Sequence, residues 1–300
     1  LDGYQVTPLV RQPAARVMAG LAPEQTERAF SVIGPFGSGK SAFGLFMAHY
    51  LQRSSTSRYR LLESLRALDA TTLLPLDAPS LLSVLVPGNN SSLCHAIVRS
   101  LGTAVNDSHL KSSAFVQLRA QIVESSSDPT LDPVRVADLV TQAAQLVQAH
   151  SQGRYQGLFV LIDELGQFLD YAAHQDDERD LFVLQSLAEA AARSAGTPLL
   201  LMTILHQAFE QYALHAGTTR RIEWAKVQGR FVDLTFQEPS SQMMRMLALA
   251  LMSEYGDLWH EQREQWAALL APQTEALGLR PGDIAPDEWR QLLHDAYPLH

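Results

Sequence analysis

Apolar residues fall along this chain in two kinds of run. Leu158-Phe159-Val160-Leu161-Ile162 and Pro198-Leu199-Leu200-Leu201-Met202-Thr203-Ile204 are unbroken, and predict strands buried on both faces. Leu82 to Val86, stopped by Pro87-Gly88, predicts a third strand, and Phe30 to Ile33 the first of the chain. Phe231 to Phe236 alternates apolar with polar, the pattern of an edge strand. The second kind of run repeats at helical spacing. It predicts helices over Ser41 to Leu51, Ser91 to Leu101, Leu110 to Val123, Pro133 to His150 and Asp177 to Ser194. A short helix is expected within Tyr4 to Gly20, and helical stretches at Phe209 to Leu214, at Arg221 to Val227 and after Pro239. Ser54 to Ser57 and Ser125 to Pro129 read as loops, and the leucine-rich stretch Leu61 to Leu76 stays ambiguous.

Strands that alternate with helices imply an α/β fold: five core strands, mainly parallel, with helices on both faces. The strand at 82–86 separates the first strand from the one ending at Ile162. Residues 1–238 are expected to form this core, and 239–300 the start of a helical, lid-like subdomain.

Composition narrows the class. With 300 residues, 46% hydrophobic and 18% charged, the chain reads as a soluble globular one, and no apolar run reaches the ~20 residues of a membrane span. A net charge of −9 argues against a broad nucleic-acid surface. The single Cys94 excludes an internal disulfide and fits a reducing cytoplasm. Leu1-Asp2-Gly3-Tyr4 is not a signal peptide, and without a Met it reads as starting inside a longer protein.

The candidate chemistry sits where strands end. Gly34-Pro35-Phe36-Gly37-Ser38-Gly39-Lys40-Ser41 matches the phosphate-cradling loop G-x-x-x-x-G-K-[ST] between a strand and a helix. Glycines let the backbone N–H groups turn inward onto phosphate oxygens, and the helix start adds positive potential. Gly34 to Ala42 are therefore expected to hold ATP, with Lys40 on the β and γ phosphates and Ser41 on Mg²⁺. Asp163, at the end of a buried strand, is the expected partner of Ser41 on the metal, and Glu164 the activator of water. The competing reading makes both acids the cap of the next helix. Thr203, read as the end of its strand, is a candidate for orienting water, or a turn cap; His206 and Gln207 follow it. Arg221 and Arg230 are candidates for neutralising transition-state charge in a neighbouring subunit, or surface partners of acids such as Glu223. Tyr4 to Leu9 are candidate base contacts, with packing as the alternative. The ten histidines show no zinc-ligand spacing.

These blocks carry a family resemblance. The loop Gly34 to Ser41, Leu161-Ile162-Asp163-Glu164-Leu165-Gly166, Leu205 to Tyr212, Glu223 to Phe231 and Tyr297-Pro298-Leu299-His300 resemble the ATPase module of large bacterial P-loop proteins of phage-defence islands. The big ATPase subunit of BREX-type systems is similar, within the AAA+/STAND-like group. The resemblance spans nearly the whole chain; its loop and acid strand are generic, and the 205–212 and 224–231 blocks more specific. It implies an ATP- and Mg²⁺-dependent ATPase, a cytoplasmic homo-oligomer that passes its state to a partner effector. Nucleic acid would be handled by regions outside the chain, and further helices would follow His300. A nucleotide-gated scaffold with little turnover and a DNA-translocating or remodelling motor are the alternatives, and a small-molecule kinase fits least.

Overall fold

The computed structural model describes residues 8–53, 58, 74–75, 77–175, 179–207, 224–236, 244, 248, 260–282 and 284–297. The expectations placed on Tyr4 to Thr7, Ser54 to Ser57, Leu61 to Leu73, Phe209 to Leu214, Arg221 and most of the 239–259 stretch lie outside these residues, as do the ends of two resemblance blocks, 208–212 and 298–300.

Five strands, β1 (Ala29–Ile33), β2 (Leu81–Val86), β3 (Gly157–Ile162), β4 (Leu199–Leu205) and β5 (Val232–Thr235), form one sheet in the order β2-β3-β4-β1-β5. Every neighbouring pair is parallel. The unbroken apolar runs have a direct cause. In β3, Leu158, Val160 and Ile162 enter one buried cluster, whereas Phe159 and Leu161 enter another on the opposite face. Successive side chains of a strand point to opposite faces, so a strand covered twice has no polar position to offer.

One covering layer is α1 (Pro8–Ala19) and α2 (Lys40–Gln52), packed through Val10, Val17, Phe43, Phe46 and Met47. The other contains α3 (Leu93–Asp107), α4 (Ser113–Ser127), α5 (Pro133–His150), α6 (Leu165–Gln175) and α7 (Arg179–Ala192). Asp132 caps α5, its carboxylate accepting from Val134 N at 2.9 Å with Pro133 in the first turn. The amide of Cys94 and the hydroxyl of Ser92 donate to buried Asp180 of α7, at 3.2 and 3.1 Å, which ties the start of α3 to its neighbour.

Three expectations shift. The helix expected over Leu110 to Val123 runs from Ser113 to Ser127, shortening the loop expected at Ser125 to Pro129. Ser126 and Ser127 donate back to the Val123 carbonyl, so serines that read as loop formers sit in the last helical turn. The helix expected over Ser91 to Leu101 runs on to Asp107. The helix that the competing reading of the two acids implies, α6, begins immediately after Glu164, though no bounds are expected for it.

Two compact units divide the chain, Leu1–Phe236 and Gln237–His300. In the second, α8 (His260–Ala276) and α9 (Pro286–Asp295) share a small core with Trp289, Leu292 and Leu293, and the Trp289 indole donates to Thr274 Oγ1 at 2.8 Å. Among the described residues no helix is long and apolar enough to cross a membrane.

Candidate active site

The strand order creates the site. β4 lies between β1 and β3, so the C-terminal ends of β1 and β3 stand two strand spacings apart, about 10 Å. The loop leaving β1 must therefore fold sideways across the end of β4 to meet the acids leaving β3. It does so at the sheet edge where α/β folds bind ligands.

The loop's geometry follows from its glycines. Gly37 and Gly39 have φ of +77° and +85°, a region that side chains disfavour. Gly34 passes so near the end of β5 that a Cβ there would lie 1.9 Å from the Phe236 carbonyl oxygen. Lys40 opens α2 but is only 4% exposed; its ammonium folds back and donates to the Pro35 carbonyl at 2.7 Å. Burial pushes its pKa down, and the charge of Asp163 opposes that shift.

Ser41 Oγ donates to Asp163 Oδ1 at 3.1 Å, across 122 residues of sequence. The same carboxylate oxygen accepts from the amide of Glu164 at 2.9 Å, in the turn that precedes α6. Glu164 has φ of +48°, in the left-handed region, an unusual backbone for a residue with a side chain. Its carboxylate accepts from the Gln167 side-chain amide, and Gln167 N donates to the Glu164 carbonyl at 3.0 Å.

His206 completes the group. It follows β4, and its ring stacks on Phe36 of the loop with centroids 3.4 Å apart. Burial pushes its pKa down, Lys40 pushes the same way, and Glu164 and Asp163 push it up. The fields of all three charged residues therefore meet at His206.

Thr203 is not where the sequence placed it. β4 continues to Leu205, and Thr203 is completely buried. Its hydroxyl pairs with Ser31 Oγ at 3.2 Å and also reaches the Phe30 carbonyl at 3.4 Å. Ser31 and Thr203 are register partners, so the two hydroxyls satisfy each other inside the sheet. The strand-end position expected of Thr203 is taken by His206.

Arg230 stands at the opposite edge. Val232 pairs with Phe30, at the start of the parallel strands, whereas the phosphate-type loop leaves their far end. Arg230 donates to Glu189 Oε1 from Nε at 3.0 Å and from an Nη at 2.8 Å, and its other Nη donates to the Lys226 carbonyl. That guanidinium lies far from the Lys40 of its own chain.

No family model matches the chain, and no curated protein does. Solved structures do. The chain is similar to the ORC2 protein of Aeropyrum pernix in its ADPNP–ADP complexes, with a TM-score of 0.50, 12% identity, and 97% of this chain and 67% of that one covered. The ADP form of the same protein gives a TM-score of 0.45 and 14% identity over 94% of this chain and 67% of that one. At this identity the first likeness is one of fold. The fold is the α/β sheet of P-loop ATPases, five parallel strands between helical layers.

Sequence reasoning missed Gly88, Gln167 and Ser31, and it named Phe36 and His206 without pairing them. A Cβ on Gly88 would meet Glu164 Cβ at 2.6 Å. Only the Pro87-Gly88 strand stop marked that position in the sequence, and nothing linked it to Glu164.

Proposed function

We propose that this chain binds ATP with Mg²⁺ and hydrolyses it, and that the nucleotide state biases a conformational or assembly equilibrium. The observation that carries the reading is the Ser41–Asp163 hydrogen bond, with Lys40 buried beside it. A hydroxyl and a carboxylate are the two protein ligands a Mg²⁺ ion takes when waters and phosphate oxygens supply the rest. The buried hydroxyl of Ser38 on the loop and the buried Nδ1 of His206 after β4 have no partner among the described residues, and such atoms fit an oxygen-rich ligand.

The roles follow from position. The Gly34 to Ala42 backbone wraps the phosphates and Lys40 counters their charge. Ser41 and Asp163 hold the metal, which when bound neutralises charge on the β and γ phosphates. Glu164 accepts a proton from, or orients, the attacking water, and Gln167 fixes its carboxylate. His206 takes the polar position at the end of β4. Arg230 acts on the site of a second copy in a homo-oligomer. Residues 239–300 supply the start of a lid, and the segment works inside a cytoplasmic multidomain anti-phage defence protein that passes its state to an effector. That setting rests on the sequence blocks at 205–212 and 224–231.

Purified chain with ATP and Mg²⁺ tests the core of this. Lys40→Ala should lose nucleotide binding, and Glu164→Gln should bind ATP and stop turnover. Wild-type turnover by Glu164→Gln would remove Glu164 from its role. Nucleotide retained without turnover in the wild type would favour a gated scaffold.

A further inference from the structure

The loop carries a ring that phosphate binding does not require. G-x-x-x-x-G-K-[ST] leaves position 36 free, because backbone amides do the wrapping. Phe36 nevertheless stands 77% exposed on the loop, a poor place for a large apolar side chain. Its ring lies against the His206 imidazole, with centroids 3.4 Å and planes 25° apart. His206 is anchored from the other side: Leu205, the last residue of β4, is completely buried, and its carbonyl accepts from Gly34 N at 3.3 Å. The loop and the end of β4 are thus joined twice, by backbone at Gly34 and by side chain at Phe36.

A ring laid flat on another keeps its edge, where both nitrogens sit, within one plane. His206 Nδ1 is buried and has no partner among the described residues, while Lys40, Asp163 and Glu164 all act on the imidazole. The side chain is therefore oriented by stacking rather than by a hydrogen bond. Stacking on a loop residue makes that orientation move with the loop.

We propose that Phe36 is a positioning residue for His206, holding the imidazole where it distinguishes a triphosphate from a diphosphate on the same loop. This rests on the ATP reading above and deepens it: the loop reports its occupancy to β4 through an aromatic contact.

Binding measurements test the idea without relying on turnover. Fluorescent ATP and ADP analogues are titrated into the wild-type chain and into Phe36→Ala, Phe36→Leu, Phe36→Trp, His206→Ala and the Phe36→Ala/His206→Ala double variant. Phe36→Ala and His206→Ala should each lower the ratio of ATP affinity to ADP affinity about tenfold. The double variant should be no worse than either single one, as for residues acting as one unit. Phe36→Trp should keep the preference, and its indole emission should change more with ATP than with ADP. Phe36→Leu, which keeps apolar bulk without a ring, should behave as Phe36→Ala does. An unchanged preference in Phe36→Ala, or additive losses in the double variant, overturns the proposal. If Lys40→Ala binds both nucleotides as the wild type does, the ATP reading itself has failed.

Discussion

Gly88 and Glu164 approach so closely that a Cβ on residue 88 would stand 2.6 Å from the Cβ of Glu164 and 3.2 Å from the Asp163 carbonyl oxygen. Gly88 follows β2, and Glu164 follows the neighbouring β3. The missing Cβ leaves room for the side chain of Glu164, whose φ is +48°. Such a backbone costs on the order of 1–3 kcal/mol and persists where the surroundings impose it. The surroundings are the glycine, the Asp163 bond to the Glu164 amide and the Gln167 bond to its carboxylate. Gly88→Ala should push the Glu164 carboxylate out of place while leaving the loop at 34–41 intact. The expected result is a turnover number lowered by about 10- to 100-fold, the size of effect a 1 Å misplacement produces, with ATP affinity kept. Phosphate release and nucleotide binding measured side by side check it. Unchanged turnover would show that the strained placement of Glu164 contributes nothing to rate.

The Ser31–Thr203 pair predicts the opposite split. Thr203→Val keeps the shape and strands the Ser31 hydroxyl inside the sheet, which should cost about 1 kcal/mol of stability. A melting temperature lower by roughly 2–4 °C, with turnover within about twofold of wild type, is expected. The Ser31→Ala/Thr203→Val double variant should regain much of the loss, because removing both partners leaves no orphan. Abolished turnover at an unchanged melting temperature would return Thr203 to the catalytic group.

These two contacts show what was legible in the chain and what was not. The five strands could be read because covering a sheet on both faces demands runs such as Leu158 to Ile162. The loop and Asp163 could be read because their chemistry sits on consecutive residues. Thr203 was misplaced because a lone polar residue near the end of an apolar run reads as facing the site; its partner is 172 residues away. The helix α6 was legible only as the alternative in which the two acids cap it, because its 11 residues give a short apolar pattern. Gly88 and the Phe36–His206 stack depend on which strands become neighbours, a property that no local window contains.

Arg28 gives a prediction about stability alone. It is completely buried, and it donates to the carbonyls of Gly20 at 2.8 Å and Ala22 at 2.9 Å, closing the turn after α1. Burial lowers its pKa. Arg28→Met keeps the length of the side chain and leaves those carbonyls unpaired in the interior. A loss of about 2 kcal/mol is expected, read as a lower denaturant midpoint with an unchanged slope. Nucleotide affinity, set at the far end of the sheet, should stay the same. A wild-type midpoint would show that water satisfies the carbonyls as well as the guanidinium does.

Arg230 decides whether the site is complete within one chain. Its own β5 places it at the sheet edge opposite Lys40, and Glu189 holds it there with two hydrogen bonds. The Arg230 bond, then that of Gln185, keeps the Glu189 carboxyl below its ordinary range. A depressed carboxyl pKa means the pair contributes stability above the unfolded value and loses it as pH falls through the folded one, so the clamp is intact at neutral pH. With each side chain about a third exposed, the pair is worth only about 0.2–1 kcal/mol, little enough for a second copy to draw the guanidinium away. Arg230→Ala should therefore leave the melting temperature nearly unchanged and still lower turnover about a thousandfold or more. Glu164→Gln should also be inactive, for the different reason that its own water is not activated. Mixed, the two variants should recover part of the wild-type turnover, since some interfaces pair an intact Glu164 with an intact Arg230 from the neighbour. An inactive mixture, with assembly verified by light scattering, would confine Arg230 to its contact with Glu189.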